Sequence, residues 1–203
     1  MNMKIDKYEK IGKDKYRIYL ANGEIIDTYD SVILNNELLL KKELDQLSYQ
    51  KIIEETYLEE YYIACRKYIE YRIRSTKEIK DYLTKKEVEI DKIDIIIEKL
   101  IKNKYLNDDY FCKCFIHDKL KFTNLGEYQI INELKRNQID SEIISKYYYL
   151  LNEEVMNDRI NKLIDKKLKT SKDKSKLKNK LYNNLVRLGY PINLVITNIN
   201  NRF

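Results

Sequence analysis

A mainly α-helical chain, with three tandem three-helix repeats behind a small N-terminal β-hairpin or meander, is the fold class this sequence predicts. Three observations lead there. The 203 residues include four glycines, one proline, one histidine and no tryptophan. Glycine and proline are the material of turn-rich β-sandwiches and glycine-cradled nucleotide sites, so both classes are disfavoured. From about Asp45 onward the apolar residues fall at helical spacing. A four-then-five spacing of apolar positions then recurs three times, each time 51 residues further on. Charged residues make up 35% and hydrophobic ones 43%. That is enough Ile, Leu and Tyr to bury a core, which excludes wholesale disorder.

Residues 1–44 read as β structure. Tyr16, Ile18 and Leu20 alternate with polar residues, Asn22-Gly23 supplies a turn, and Ile25, Ile26 and Tyr29 follow. Asn-Gly between such runs is the strongest short hairpin signal, because its turn tolerates positive φ. A third strand around Ile5–Ile11, joined through Gly12-Lys13-Asp14, completes a meander. The repeats follow as a linker helix with repeat one over 45–106, repeat two over 107–151 and repeat three over 152–203. Each opens on a long helix, about Thr56–Arg74, Asp108–Phe122 and Glu153–Lys169. Each continues with a middle helix carrying the recurrent spacing: Ile79, Leu83, Val88; then Ile130, Leu134, Ile139; then Leu181, Leu185, Tyr190. A third helix starts at Asp91, at Asp140-Ser141 and at Pro191, residue types that cap or open helices. Units of this size stack, because none buries its apolar face alone.

Local signals refine the elements. Ser75 followed by Glu78 is a capping box, in which hydroxyl and carboxylate each take the other residue's backbone N–H. Asn107 or Asp108 caps the next helix, and Gly126 opens the middle helix of repeat two, allowing a tight turn or a close helix approach. In the first long helix, Leu58, Tyr62, Cys65, Ile69 and Ile73 form an inward stripe. Tyr57, Tyr61, Ala64, Tyr68 and Tyr71 form a second stripe about 100° round, either buried or a partner-binding surface.

No enzyme is indicated. There is no glycine-rich phosphate loop, nucleophile elbow or zinc-protease motif, and no cofactor is implied. A single His117 gives no multi-histidine metal site. Cys112 and Cys114 lie two apart on a helix and point about 200° apart, so they cannot close on one ion. The three cysteines are an odd number without a signal segment, and no apolar run is long enough to span a bilayer. These features fit reduced thiols and a cytoplasmic protein.

Charge is uneven. Residues 1–60 carry a net −4 and residues 159–190 a net +9, within a total of +6. A segment of that density neutralises phosphates or meets an acidic protein face. Arg72 and Arg74, at the end of the first long helix, complement its dipole or bind acidic or phosphate groups.

The ordered pattern resembles the bacterial RecX family. A β segment precedes Arg72, Arg74, Ser75, Glu78 and Ile79; then come Leu106-Asn107-Asp108, Phe111, and Gly126 with Ile130 and Leu134. The chain departs from the family's arginine-rich second repeat, with Lys119 and Lys121 in place of arginines. The resemblance implies an elongated, curved array of three-helix repeats. It also implies a non-enzymatic, monomeric regulator that binds the RecA recombinase and its filament on single-stranded DNA. Such a regulator suppresses ATP hydrolysis, strand exchange and co-protease action, and so modulates DNA repair and the SOS response, with only weak direct DNA binding. The candidate contacts are Arg72, Arg74, Lys119 and Lys121, with the third-repeat residues Lys166, Lys169, Lys172, Lys176 and Lys180. The alternative is a stand-alone nucleic-acid-binding helical-repeat protein.

Overall fold

A computed structural model describes residues 3–170 and 176–203. The described chain begins with three antiparallel strands, β1 (Met3–Lys10), β2 (Lys15–Leu20) and β3 (Ile25–Tyr29). A two-residue β4 (Glu43–Leu44) pairs antiparallel with β1, giving the order β3-β2-β1-β4. At the β2–β3 turn Gly23 alone adopts a left-handed φ of 88°, and its N–H donates to the Leu20 carbonyl at 2.9 Å. Asn22 stays out of that region and instead accepts the Glu24 N–H on its side chain at 3.1 Å. Ile18, Leu20 and Ile26 turn to one face of the sheet and are buried, as the alternation requires.

Ten α-helices follow among the described residues. α1 (Asp30–Asn35), a 3-10 turn at Leu38–Leu40 and β4 are each too short to show a period in the sequence. α2 runs unbroken from Gln46 to Tyr71, so the linker helix and the first helix of repeat one are a single element. Asp45 caps it by accepting the Ser48 N–H at 2.7 Å. The remaining helices are α3 (Thr76–Lys85), α4 (Ile90–Lys102), α5 (Asp108–Phe122), α6 (Glu127–Arg136) and α7 (Ser141–Tyr147). After a 3-10 turn at Tyr148–Leu151 come α8 (Glu153–Thr170), α9 (Leu177–Arg187) and α10 (Ile192–Asn200).

The recurrent four-then-five spacing has a backbone cause. α3, α6 and α9 end in the same cap, in which Val88, Ile139 and Tyr190 donate their N–H to Leu83, Leu134 and Leu185. The residue before each donor, Glu87, Gln138 and Gly189, takes the left-handed conformation that such a cap requires. The cap brings the fifth residue back over the helix, so donor and acceptor side chains are both buried.

The chain divides into two compact units, Met1–Arg72 with Ile79–Tyr105, and Ile73–Glu78 with Leu106–Phe203. In the first, Ile18, Ile26, Leu38, Leu44 and Ile52 build a core between the sheet and α2. Thr28, on the same side, is buried through a 2.6 Å hydrogen bond between its hydroxyl and that of Thr56. In the second, repeats two and three share one continuous core from Phe111 to Ile199.

One close approach organises the second unit. The Gly126 N–H donates to the Leu188 carbonyl at 2.8 Å, and the Tyr128 N–H to the Gly189 carbonyl at 3.0 Å. The first turn of α6 is thus capped by the end of α9. A Cβ on Gly126 would lie 2.5 Å from the Gly189 backbone, so the approach tolerates no side chain there.

Candidate interaction surface

The cationic candidates differ in how far they are buried. Arg74 is 8% exposed and directs Nη1 at Glu78 Oε1, 3.3 Å away. Glu78 and Ser75 form the expected box, at 3.1 Å (Ser75 N–H to carboxylate) and 3.2 Å (Glu78 N–H to hydroxyl). Arg74 therefore braces a helix start and adds nothing to the exposed cationic surface. Lys119 is likewise engaged: its Nζ lies 2.5 Å from Glu133 and 4.9 Å from the Phe115 ring centroid. Arg72 is exposed in extended backbone after α2. Lys121 is exposed, with its Nζ 5.0 Å from the ring of Phe122, itself 71% exposed.

In repeat three, Lys166, Lys169, Lys176 and Lys180 are all exposed and make no ion pair among the described residues. Lys172 lies outside the described residues. Two adjoining cavities of about 360 and 250 Å³ lie along α8 and α9 and share Lys167, Leu181 and Asn184. Their cationic lining is Lys166, Lys167 and Lys180, above Leu163, Leu177, Leu181 and Leu188. No carboxylate is among the described residues that line either cavity. α9 has no acidic residue in its first turn and no side-chain N-cap, and it carries Lys176, Lys178 and Lys180 there. Cations at a helix N-terminus oppose its dipole, and an anion would relieve that repulsion.

Several residues of the same chemistry turned out to hold backbone rather than to face outward. Arg159, one of the cations of the basic segment, donates to the carbonyls of Leu120, Thr123 and Leu125, the last two at 2.8 and 3.1 Å. Asp108, exactly one repeat interval earlier in sequence, accepts the Thr76 N–H at 2.8 Å. The cap of α5 is Asn107, which accepts the Tyr110 N–H at 3.0 Å. Asp109 accepts from Lys146 and from the Tyr147 hydroxyl, both at 2.6 Å, and these bonds hold its carboxyl below the usual range. The 51-residue interval relates Asp108 to Arg159, but it does not say what either side chain touches.

The tyrosine stripe of α2 is mostly packed within the first unit. Tyr68 stacks on Tyr82 with centroids 4.5 Å apart, and Tyr57 meets Tyr61 edge-on at 4.9 Å, while Tyr71 is 86% exposed. Burial pushes the Cys65 thiol up to about 12 and the Cys112 thiol up to about 11, which makes both poor nucleophiles. Among the described residues no cluster of three His, Cys, Asp or Glu could hold a metal ion, and no helix is long and apolar enough to cross a membrane.

Residues 62–100 match the profile of the RecX first three-helix domain. The chain is 30% identical to the regulatory protein RecX of Bacillus subtilis over 167 residues, 81% of this chain and 62% of that one. It is 29% identical to the Oceanobacillus iheyensis protein of the same name over 171 residues, 81% of this chain and 63% of that one. A solved structure of a regulatory protein RecX superposes with a TM-score of 0.79 at 21% identity, covering 95% of this chain and 96% of that one. The chain belongs to the RecX family. A second RecX structure, from Lactobacillus salivarius, gives a TM-score of 0.63 at 24% identity, over 71% of this chain and 95% of that one. The chain spans under two thirds of the length of the two curated RecX relatives it matches here. The residues that carry the RecX pattern, Ser75, Glu78, Asn107, Asp108 and Gly126, are helix caps and a backbone contact. They shape the RecX fold, whereas Lys166, Lys169, Lys176 and Lys180 take no part in these contacts and are exposed.

Proposed function

We propose that this protein regulates the RecA recombinase by binding its filament on single-stranded DNA, lowering ATP hydrolysis, strand exchange and co-protease action without chemistry of its own. The observation that carries the reading is the cleft along α8 and α9, where Lys166, Lys167 and Lys180 stand over leucines with no carboxylate among the described lining residues. The relatives' name, regulatory protein RecX, supports a regulatory role, and the RecX resemblance implies RecA as the partner. Arg72, Lys121, Lys169 and Lys176 extend the cationic contact to acidic filament surface or nearby phosphates, while Arg74 and Lys119 hold helices in place.

The test is the single-strand-dependent ATPase of RecA titrated with this protein. Inhibition is expected, and Lys166→Glu with Lys180→Glu should raise the concentration needed by about tenfold, since two reversed contacts change binding by at least 1.4 kcal/mol. No inhibition and no co-sedimentation with filaments overturns the reading. The exposed lysines also favour a second reading, direct binding to bare nucleic acid. That reading requires salt-sensitive binding to DNA or RNA in the absence of RecA, with an affinity comparable to filament binding.

A further inference from the structure

The first unit holds a second cationic feature, unrelated to the α8–α9 cleft. A cavity of about 680 Å³ opens between the Lys13–Lys15 turn, the start of α1 and the flank of α2. Arg66 projects from α2 into its lining. The guanidinium carbon lies 4.8 Å from the Tyr105 ring centroid and 5.9 Å from that of Tyr62, so an aromatic shelf supports it. Tyr62 is itself anchored, accepting a 2.8 Å hydrogen bond from Asn103 on its hydroxyl.

Arg66 has no ion pair or hydrogen bond among the described residues, and its Nε is shut away from solvent. The donors that remain to it are those of the two Nη groups. Lys13, Lys15 and Lys67 line the same cavity, and none of them forms an ion pair among the described residues. The carboxylates of the lining are differently placed. Glu59 is 7% exposed and paired with Lys99. Asp30 accepts the Ser31 N–H at 2.7 Å. Asp14 and Glu70 are exposed.

We propose that this cleft binds a small phosphate-bearing ligand, with Arg66 as its principal contact and Lys13, Lys15 and Lys67 completing the charge. An arginine braced against aromatic rings gives up little side-chain freedom when its fork meets an oxyanion. Four unpaired cations exceed what one carboxylate would use and suit the several oxygens of a phosphate. A nucleic-acid strand is disfavoured, since its further phosphates would meet Asp14 and Glu70.

The test is calorimetric titration of the full chain with pyrophosphate and with inorganic phosphate at low ionic strength. Saturable one-to-one binding of pyrophosphate is expected. Arg66→Met, which keeps the stem packed on the rings, should weaken it at least tenfold. Arg66→Lys should fall between the two, and Lys67→Glu, on the exposed rim, should weaken it several-fold without touching the core. A triple Lys166→Met, Lys167→Met, Lys180→Met variant should bind as the parent does. No saturable binding overturns the proposal. So does wild-type affinity in both Arg66→Met and Lys67→Glu, or loss of binding in the triple variant instead. Because the readout needs no RecA, its outcome is independent of the regulatory reading.

Discussion

Glu127 illustrates what a single buried group does to stability. It sits in the first turn of α6, is 7% exposed, and accepts a hydrogen bond from the Tyr148 hydroxyl at 3.2 Å. Burial outweighs that bond and pushes its carboxyl above the usual range. A raised acid pKa in the folded state means that folding disfavours the ionised form. The protein is therefore most stable, as far as Glu127 is concerned, below the unfolded carboxylate's pKa, and it loses that stability as pH rises through the folded one. Glu127→Gln keeps an acceptor for Tyr148 and removes the charge. It should be more stable than the parent at pH 7, with the difference shrinking toward pH 4 in urea unfolding. A difference that is flat with pH would refute this account. The same scale explains why Arg66, Arg159 and Asp108 were illegible in the sequence. Each acts on groups more than 30 residues away, and nothing local distinguishes an arginine that clamps carbonyls from one that faces water.

At the scale of elements, far more was legible, because the signals there are local. The capping box at Ser75 and Glu78, the cap at Asn107 and the ends of α3, α6 and α9 are all specified within a few residues. The four-then-five spacing is the side-chain signature of one backbone motif, so its repetition marks three helix ends in the sequence. The short α1 and β4 left no such signature, since their registers are set by contacts with α2 and β1 rather than by period. The three equivalent caps also yield a prediction. Gly189 meets the left-handed requirement without strain, whereas Gln138 meets it at φ 54° as an exposed side-chain-bearing residue. Gln138→Gly should stabilise the protein by about 0.5–1 kcal/mol, the steric cost of a Cβ in that conformation less the added entropy of the unfolded glycine. Guanidinium unfolding midpoints measure it, and a lower midpoint for the variant would count against the cap assignment.

At the scale of the whole molecule, three sequence repeats resolve into two packing units, because repeats two and three bury one shared core while repeat one closes on the sheet. A cavity in one unit should therefore act there first. Leu134→Ala removes a fully buried side chain from the second unit and should cost about 2–5 kcal/mol. Hydrogen exchange should rise across α5–α10 and leave β1–β3 unchanged; a uniform rise through both units would show that they open as one.

The contact between Gly126 and the end of α9 has a temporal consequence. A chain leaves the ribosome from its N-terminus, and α6 emerges about 60 residues before the carbonyls of Leu188 and Gly189 that its first N–H groups need. Repeat two can thus form its helices early but cannot finish the start of α6 until the final repeat has been made. A chain stopped after Arg187 should leave the Gly126 and Tyr128 amides exchanging freely. Completion of the middle of this protein waits on its last helices, so its folding has a built-in order that synthesis itself enforces.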